Sequence, residues 1–413
     1  MKKIIIIGGG ISGCIASYYL SLKGYNIQIY EKSKNIGGIM RDYEFENDIF
    51  FSGPHYLHPD SFWTKDFIKN KETKYLLKKI NFSYGSYTDL FQETVFSRDY
   101  AHPTTKIKFT GLNEKKNITT LIERFKMYQK TISKELIRWC KNFSSNFENL
   151  HINCTDILAI GRIYFQNDHN KIINLKKKNI ICDKLLGIPN FDYKKIKANI
   201  PKKGYNFFFN KLKIFLEKQK IKINLESSIQ IKKINKKIIL TSKGKELKAD
   251  YFVWCANPVP LFKSLSNTKI NNPYTKAYLA FYNVKKNPNK IKDIYIQIFS
   301  NKNLVTRVYL YEIDGQIKVT VEGLNPNNNI NIQDINRFIA KLLKEIDPKI
   351  KLSNIINLKK IVKHNLFTVN DYNLFVKFNK KFRNFKIISG AWHINTREKK
   401  IAQIIKNLNE NGL

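Results

Sequence analysis

Two hydrophobic patterns alternate along the first forty residues of the chain. The run of four isoleucines at residues 4–7 predicts a strand that is buried on both faces, because such strands read as continuous apolar runs. A helical pattern follows to residue 22, and a second apolar run at residues 27–30 predicts a neighbouring strand. This strand–helix–strand order indicates the opening βαβ unit of an α/β fold.

The same patterns predict the rest of the chain. Helical spacing predicts a helix from Trp63 to about Leu77 and helices within 117–148, and short alternating stretches within 82–110 predict antiparallel strands. A helix at 207–219 and strands at 221–225, 229–234, 237–241 and 249–256 indicate that the first unit resumes. Three or four alternating strands between residues 275 and 324 predict a second, antiparallel sheet. A helix at 334–346, a strand at 387–390 and a helix at 398–408 follow.

A glycine motif joins the first strand to the first helix. Gly8, Gly10 and Gly13 have the GxGxxG spacing, and Glu31 follows 18 residues after Gly13, at the end of the second strand. In a dinucleotide site the first glycine allows a tight turn, the second admits the pyrophosphate, and the third lets helix and strand pack closely. The helix N-terminus then faces the phosphates, and Glu31 accepts hydrogen bonds from a ribose hydroxyl.

A second glycine pair favours FAD over NAD as the dinucleotide. Gly37 and Gly38 begin six residues after Glu31, and this arrangement resembles the large glutathione-reductase-like class of flavoproteins, in which such a turn follows the pyrophosphate towards the flavin. We therefore predict FAD as the cofactor. The predicted cofactor-binding residues of this segment are Gly8, Gly10, Ile11, Ser12, Gly13, Glu31, Lys32, Gly37, Gly38, Ile39 and Met40.

The predicted fold class is α/β, with a Rossmann-type FAD-binding domain interrupted by two insertions. Residues 1–62, 201–262 and 380–413 are assigned to the FAD-binding domain. Residues 63–200 are assigned to a largely helical insertion with a few strands, and residues 263–379 to an antiparallel-sheet substrate domain. A length of 413 residues is enough for two or three domains.

Composition excludes several classes of protein. The apolar content of 43% is that of a globular chain, and no apolar run approaches the length of a membrane span. Five scattered cysteines without a CxxC pair indicate reduced thiols and no zinc site. With no visible signal peptide, we expect a cytoplasmic protein. The sequence predicts no oligomeric state.

The net charge of +40 has two explanations. Lysines are spread along the whole chain among many Asn and Ile residues. This composition is typical of proteins encoded by AT-rich genomes, whose codons favour these three amino acids. The alternative is a general attraction to anionic substrates or to an anionic membrane surface. No nucleic-acid-binding motif is present, so we predict no specific nucleic-acid partner.

Several short motifs occur in the order found in one known family. Residues 53–58 read GPHYLH, residues 98–103 RDYAHP, residues 201–205 PKKGY and residues 305–308 VTRV. These segments resemble those of the UDP-galactopyranose mutase family, within the amine-oxidase-like superfamily of FAD enzymes. Two motifs of that family are absent, a lysine-x-tryptophan-glycine segment and a tyrosine-rich C-terminal motif. The sequence SGAWHINT at 389–396 is closer to an amine-oxidase or protoporphyrinogen-oxidase ending.

The resemblance implies positions for the reacting groups. It places His55 and His58 beside the isoalloxazine ring and brings Arg307 to the active site from a strand, so these three are the predicted catalytic residues. The predicted substrate-binding residues are Arg98, Tyr309 and Tyr311, the two tyrosines sharing a strand face with Arg307. Further predicted cofactor contacts are Ile229, Gly390, Trp392 and Asn395. No metal site is predicted, because the two histidines have no further ligands nearby.

Two activities remain open at this point. The first is a nucleotide-sugar mutase, in which the N5 atom of reduced flavin mediates ring contraction without net redox change and arginines hold the anionic nucleotide diphosphate. The second is an FAD-dependent oxidoreductase of the amine-oxidase or protoporphyrinogen-oxidase type, which transfers hydride from a small substrate to flavin. Both predict a small-molecule substrate, and the first predicts an anionic nucleotide sugar.

Overall fold

The fold is given by a computed structural model of the chain. It describes residues 1–45, 47–58, 61, 63–91, 94–98, 118–163, 174, 177, 197–234, 237–265, 270, 274–285, 292–327 and 329–413. Within the described ranges, no helix is long and apolar enough to cross a membrane.

The strands, in chain order, are β1 (Lys3–Ile7), β2 (Asn26–Tyr30), β3 (Asp42–Phe45), β4 (Asp48–Phe51), β5 (Leu77–Asn81), β6 (Ser83–Thr88), β7 (Val95–Arg98), β8 (Lys197–Pro201), β9 (Lys222–Asn224), β10 (Ile229–Ile234), β11 (Lys237–Ser242), β12 (Lys245–Glu246), β13 (Tyr251–Trp254), β14 (Tyr274–Val284), β15 (Ile294–Phe299), β16 (Val305–Ile313), β17 (Gln316–Leu324), β18 (Leu352–Asn365) and β19 (Ile387–Ser389). The α-helices are α1 (Ile11–Leu22), α2 (Leu121–Phe125), α3 (Lys130–Lys141), α4 (Cys154–Leu158), α5 (Tyr205–Lys218), α6 (Val259–Ser264), α7 (Ile332–Lys344), α8 (Val369–Lys381) and α9 (Arg397–Asn409).

A five-stranded parallel sheet confirms the Rossmann-like part of the prediction. Its strand order is β19-β13-β1-β2-β9, and all four pairings are parallel. Ile4 and Ile6 pack in one core with α1, α5 and α9. Ile5 and Ile7 pack in a second core with α3, α6 and α8. The isoleucine run is therefore explained by helices that cover both faces of β1.

The second large sheet has seven strands in the order β18-β14-β17-β16-β15-β6-β7. Its strands β14 to β17 pair antiparallel, as predicted, but the sheet as a whole is mixed, because β6 runs parallel to β15. The strands β6 and β7 come from residues 63–200, so this part of the chain contributes to the sheet of residues 263–379. The proposed domain boundaries stay a prediction.

The two faces of the seven-stranded sheet differ in chemistry. One face is apolar and packs on α7; its members include Ile294, Ile296, Val308, Leu310 and Val319. The other face carries polar and aromatic side chains and lies against the segment that follows β4. We call this second face the polar sheet face, and it is defined by Tyr84, Asp293, Tyr295, Gln297, Arg307, Tyr309, Tyr311, Thr320 and Glu322.

The prediction of one continuous helix from Trp63 to about Leu77 is wrong. The structure has one π-helical turn at Thr64–Ile68 and one 3₁₀ turn at Lys74–Leu76, and β5 begins at Leu77. Between the turns, the side chains of Asn70 and Thr73 donate to the carbonyl oxygens of Phe67 and Ile68. Such local side-chain hydrogen bonds compete with helical ones, which explains why the helical spacing does not produce a helix.

Candidate cofactor and substrate site

The glycine loop after β1 has the geometry that its spacing predicted. Gly8 has φ of +102°, and a Cβ atom there would lie 2.9 Å from the amide nitrogen of Ala256. A Cβ on Gly13 would overlap the carbonyl oxygen of Gly8. A Cβ on Gly10 would meet only the Cα of Gly38, at 3.9 Å. Gly8 and Gly13 are thus required by the turn and by packing, whereas Gly10 leaves its surroundings accessible.

The second glycine turn lies directly against the first. The N–H of Gly37 donates to the carbonyl oxygen of Gly9 at 2.8 Å, and a Cβ on Gly38 would lie 3.1 Å from the Cα of Gly10. Both Gly37 and Gly38 have positive φ. We call the surface formed by residues 8–13 and 37–38 the glycine cradle.

Glu31 is buried at the edge of the glycine cradle. Its two carboxylate oxygens accept the N–H groups of Gly9 at 2.7 Å and Ser33 at 2.9 Å. Each oxygen retains a lone pair that can accept from a ribose hydroxyl. The carbonyl of Glu31 accepts from the N–H of Ser227 at 2.9 Å. Ser227 is two residues before Ile229, the first residue of β10, so Ile229 lies close to Glu31 along the chain. Lys32 is exposed.

The N-terminus of α1 fits a phosphate group. Its N-cap residue is Gly10, which has no side chain to cap the helix, and the first turn contains no acidic residue. The N–H groups of Ile11, Ser12 and Gly13 open this helix, and the first N–H groups of a helix lack intrahelical acceptors. With the helix dipole they form an anion site. An uncapped helix beside Gly10 and Gly38 is the observation that fits a dinucleotide.

Three strand ends extend the glycine cradle along the carboxyl edge of the parallel sheet. The N–H of Cys255, after β13, donates to the carbonyl of Ile7 at 2.9 Å, and the N–H of Gly390, after β19, donates to that of Trp254 at 3.0 Å. A Cβ on Gly390 would lie 2.8 Å from the Cα of Cys255. Gly390 is therefore required by the close approach of β19 to β13, and it lies at the edge where the fold binds ligands.

Two predicted cofactor contacts, Trp392 and Asn395, lie in the segment after Gly390, and both donate hydrogen bonds to protein carbonyl groups. Trp392 is buried among Phe262, Phe375 and Phe378, and its Nε1–H donates to the carbonyl of Trp254 at 2.9 Å. Asn395 is exposed and donates to the carbonyl of Asn153 at 3.2 Å. Their roles as cofactor contacts stay predictions.

His55 is connected to the second glycine turn through Ser52. The Ser52 hydroxyl donates to the carbonyl of Ile39 at 2.9 Å and lies 3.0 Å from His55 Nε2. Because its single proton is used on Ile39, Ser52 must accept from His55, which places a proton on Nε2. The side chain of Ile39 is exposed and that of Met40 is buried.

His58 and the residues beside it lie on the other side of this segment. His58 is exposed, and its carbonyl accepts from Thr64 at 2.7 Å. The carbonyl of Tyr56 accepts from Arg397 Nη1 at 2.8 Å. Residues 53–58 are therefore linked through Ser52 to Ile39, next to the second glycine turn, and through Tyr56 to the first turn of α9.

The polar sheet face packs on the same segment. The ring of Tyr309 meets that of Tyr56 at 5.8 Å, and its hydroxyl donates to Asp293 at 3.3 Å. Tyr311 Oη accepts from the N–H of Phe51 at 2.7 Å, and Thr320 donates to the carbonyl of Phe51 at 2.9 Å. Tyr311 must therefore donate to Thr320, 3.1 Å away. These bonds join the end of β4 to the sheet.

Arg307 does not point to bulk solvent. Its Nη2 donates to the carbonyl of Ile157 at 2.7 Å, its Nε to Gln297 at 3.3 Å, and its Nη1 lies 3.5 Å from Glu322. Its side chain is 20% exposed. Arg307 thus lies between the polar sheet face and α4, on the face that Tyr309 shares.

Sequence reasoning missed Arg162, which packs on Tyr295 of β15, the strand next to that of Arg307. Its guanidinium carbon is 4.1 Å from the ring centroid of Tyr84 and 4.5 Å from that of Tyr295, and it interacts electrostatically with Arg307. No local motif marks Arg162, because its partners lie on two distant strands. Arg98, on the edge strand β7, donates to Ser83 at 3.3 Å.

The polar sheet face also carries a buried carboxyl, that of Asp293. Burial raises the pKa of Asp293 to about 6, against the lowering effect of Lys78 and of hydrogen bonds from Glu312 and Tyr309. Among the described residues, no group of three or more histidine, cysteine or acidic side chains could hold a metal ion.

Comparison with known proteins agrees with the fold. A family model described as an NAD(P)-binding Rossmann-like domain matches residues 6–70. The chain is 28% identical over 189 residues to a methylenetetrahydrofolate–tRNA-(uracil-5-)-methyltransferase of Mycoplasma mycoides, covering 44% of this chain and 37% of that protein. A relative of the same name from Mycoplasma capricolum is 22% identical over 421 aligned positions, covering 84% and 90% of the two chains. The 4,4'-diapophytoene desaturase of Staphylococcus aureus is 32% identical over 92 residues, covering 21% and 18%.

Two solved structures share the whole fold. A reduced UDP-galactopyranose mutase superposes with a TM-score of 0.70 at 13% identity, covering 100% of this chain and 95% of that chain. A protein assigned as a protoporphyrinogen oxidase from Exiguobacterium sp. gives 0.62 at 13% identity, covering 99% and 98%. The chain therefore shares its overall fold with both structures.

Proposed function

We propose that this protein is an FAD-dependent enzyme of the amine-oxidase-like superfamily. The glycine cradle, the uncapped N-terminus of α1 and the buried Glu31 support a dinucleotide, and the second glycine turn supports FAD. The likeness of the fold to a mutase and to an oxidase-type protein supports an enzyme and not a binding protein. When bound, FAD supplies either hydride transfer or a nucleophilic N5 atom.

The substrate is an anionic small molecule that lies against the polar sheet face. The observation that carries this proposal is that Arg162 and Arg307 lie on the same polar sheet face, over the neighbouring strands β15 and β16. Glu322, 3.5 Å from Arg307 Nη1, offsets one of the two positive charges, and a bidentate phosphate or carboxylate offsets the other through charge-assisted hydrogen bonds. Tyr84 and Tyr295 hold the Arg162 guanidinium in place by cation–π contact.

Among anionic substrates we propose a nucleotide sugar, converted by a mutase of the UDP-galactopyranose type. Arg307 and Arg162 hold the diphosphate, and Tyr309 lines the pocket. His55 lies in the segment that follows the second glycine turn, where its Nε2–H donates to Ser52. Such chemistry needs few acid–base groups on the protein, because the flavin itself is the nucleophile.

The decisive experiment is an anaerobic assay of the full chain loaded with FAD. Dithionite-reduced protein is incubated with UDP-galactopyranose, and the sugar products are separated by chromatography. A mutase converts the sugar between its two ring sizes with no electron acceptor present. Oxidised protein serves as the matched control and should be inactive.

The second candidate is an FAD-dependent oxidoreductase, favoured by the ending at residues 389–396 and by the similarity to a desaturase. In this case a substrate bleaches the flavin absorbance of oxidised protein under anaerobic conditions, and reduced protein converts no nucleotide sugar. A protein that binds no FAD contradicts both candidates.

A further inference from the structure

The strand β18 forms one edge of the seven-stranded sheet. Among the strands that the structure describes, it pairs only with β14. Its outer side therefore presents main-chain N–H and C=O groups to which another strand can bind. With 14 residues, β18 is also the longest strand in the described part of the chain. A long open edge of this kind is a candidate interface.

A groove of about 810 Å³ lies at this edge. Its lining includes Lys359 and Ile361, which alternation along the strand places on one face of β18, and Lys360 and Val362, which it places on the other. Because residues from both faces line it, the groove contains the edge of the strand and not only one face of the sheet. A molecule in the groove therefore lies against the main chain of β18.

The lining of the groove carries an excess of positive charge. Four exposed cations belong to it, Lys34, Arg41, Lys359 and Lys360. The guanidinium carbon of Arg41 is 5.4 Å from the ring centroid of Tyr43, and the ammonium of Lys359 is 5.5 Å from that of Phe45, so cation–π contact orients two of them. None of the four forms an ion pair among the residues that the structure describes.

Two carboxyl groups also line the groove, and they do not cancel this charge. Asp42 is buried, and burial raises its pKa to about 7, so its carboxyl is only partly ionised at neutral pH. Glu44 is exposed and accepts from Asn206 Nδ2 at 3.1 Å. The groove therefore attracts a negatively charged molecule.

We propose that β18 binds an acidic, extended segment of a partner protein as an added strand. The edge of a strand offers donors and acceptors in alternation, which another polypeptide matches and which phosphate groups, with acceptors only, do not. The lysines of the edge select glutamate or aspartate side chains on that segment. They also disfavour a second copy of this chain, whose net charge of +40 opposes association.

This interface is separate from the proposed substrate site. In the sheet, β14 and β17 lie between β18 and β16, the strand of Arg307. Binding of the acidic segment therefore requires neither FAD nor substrate, and a failure of one proposal leaves the other unaffected.

The test measures binding of synthetic peptides to the full chain by fluorescence anisotropy. The probe is a fluorescein-labelled peptide of alternating glutamate and valine. A peptide of alternating lysine and valine tests the role of charge, and the acidic peptide methylated at every backbone nitrogen tests strand pairing. Polyuridylate tests whether the groove prefers nucleic acid. Hydrogen exchange of the β18 amides, with and without the acidic peptide, locates the binding site.

The variants change charge at exposed positions, and their melting temperatures show that they fold. Lys359→Glu/Lys360→Glu reverses the charge of the strand edge, and Arg41→Glu reverses a charge that another element contributes to the groove. Lys232→Glu/Lys237→Glu is the matched control, because it changes the net charge of the chain as much as the first variant does. Its two lysines are exposed on β10 and β11 and do not line the groove.

We expect the acidic peptide to bind with an affinity that falls as salt rises, and the β18 amides to exchange more slowly when it is bound. Lys359→Glu/Lys360→Glu should weaken binding by about tenfold or more, Arg41→Glu should weaken it as well, and the control should retain most of the affinity. The lysine peptide and the methylated peptide should not bind.

Three results would overturn the proposal. The first is a methylated peptide that binds as tightly as its parent, because strand pairing then plays no part. The second is an equal loss of affinity in the control variant, because binding then depends on net charge alone. The third is polyuridylate that binds more tightly than the acidic peptide and loses affinity in Lys359→Glu/Lys360→Glu, because the groove then belongs to nucleic acid.

Discussion

A Cβ atom on Gly13 would overlap the carbonyl oxygen of Gly8, so α1 and β1 are packed backbone to backbone at this point. Gly10, three residues earlier, has no such neighbour and faces the Cα of Gly38. The two glycines therefore have different tasks, as the motif predicts. Gly13 maintains the fold of the glycine cradle, and Gly10 maintains access to it.

This difference predicts two distinct phenotypes. Gly13→Ala should lower the free energy of unfolding by roughly 2–4 kcal/mol, because backbone atoms cannot move aside. Gly10→Leu should leave the fold intact and abolish FAD binding, because its side chain occupies the place of the pyrophosphate. Urea denaturation and titration of the apoprotein with FAD measure the two effects. Tight FAD binding by Gly10→Leu would contradict the assignment of the cradle.

Arg307→Ala should weaken binding of the anionic substrate by about 1.5–3 kcal/mol, the range for hydrogen bonds to charged groups. FAD content should not change. Because the substitution also removes a partner of the buried Glu322, some loss of thermal stability should accompany it. Arg337→Ala is the matched control, since Arg337 lies on α7, is 80% exposed and is on the other side of the sheet. Unchanged substrate affinity in Arg307→Ala would contradict the substrate assignment.

The pH dependence of stability should carry a contribution from Asp42. Burial raises the pKa of this carboxyl to about 7, against hydrogen bonds from the amides of Asn206 and Tyr205 that lower it. Between about pH 4 and 7 the folded protein retains a proton that the unfolded chain has lost. The contribution of Asp42 to the free energy of unfolding therefore falls as the pH rises through this window.

The contribution of Asp42 to the free energy of unfolding changes by at most about 4 kcal/mol across this window. Asp42→Asn keeps an oxygen that can accept from Asn206 and removes the titration, so it should flatten the pH profile between about pH 4 and 7. The difference between variant and wild type isolates Asp42, because Asp293 shifts in the same direction and is present in both. Parallel profiles in urea denaturation would show that Asp42 does not titrate in this range.

Binding to nucleic acid should be weak and unspecific in spite of the charge of +40. Only phosphate neutralisation is available to scattered lysines, so affinity should fall steeply, by roughly three orders of magnitude between 50 and 200 mM salt if about six phosphates are contacted. Electrophoretic mobility shifts with DNA and RNA of different sequence at both salt concentrations measure this. Sequence-selective binding that persists at 200 mM salt would oppose the prediction.

Local sequence determined the Rossmann-like part of this protein. The βαβ unit could be predicted from the isoleucines of β1, the glycine spacing and Glu31. Each of these signals lies within a short segment, because a βαβ unit is built from elements that follow one another in the chain. The strands β10 and β11 also begin and end close to their predicted limits, since alternation along a strand is a local property.

Only the tertiary structure decided which side chains meet. Arg162 lies between Tyr84 and Tyr295, which come from strands more than 200 residues apart, and β6 joins β15 in parallel although alternation carries no information on direction. Trp392 turns into the core because three phenylalanines from α6 and α8 surround it. Such contacts depend on the packing of distant elements, for which a single sequence has no local signal.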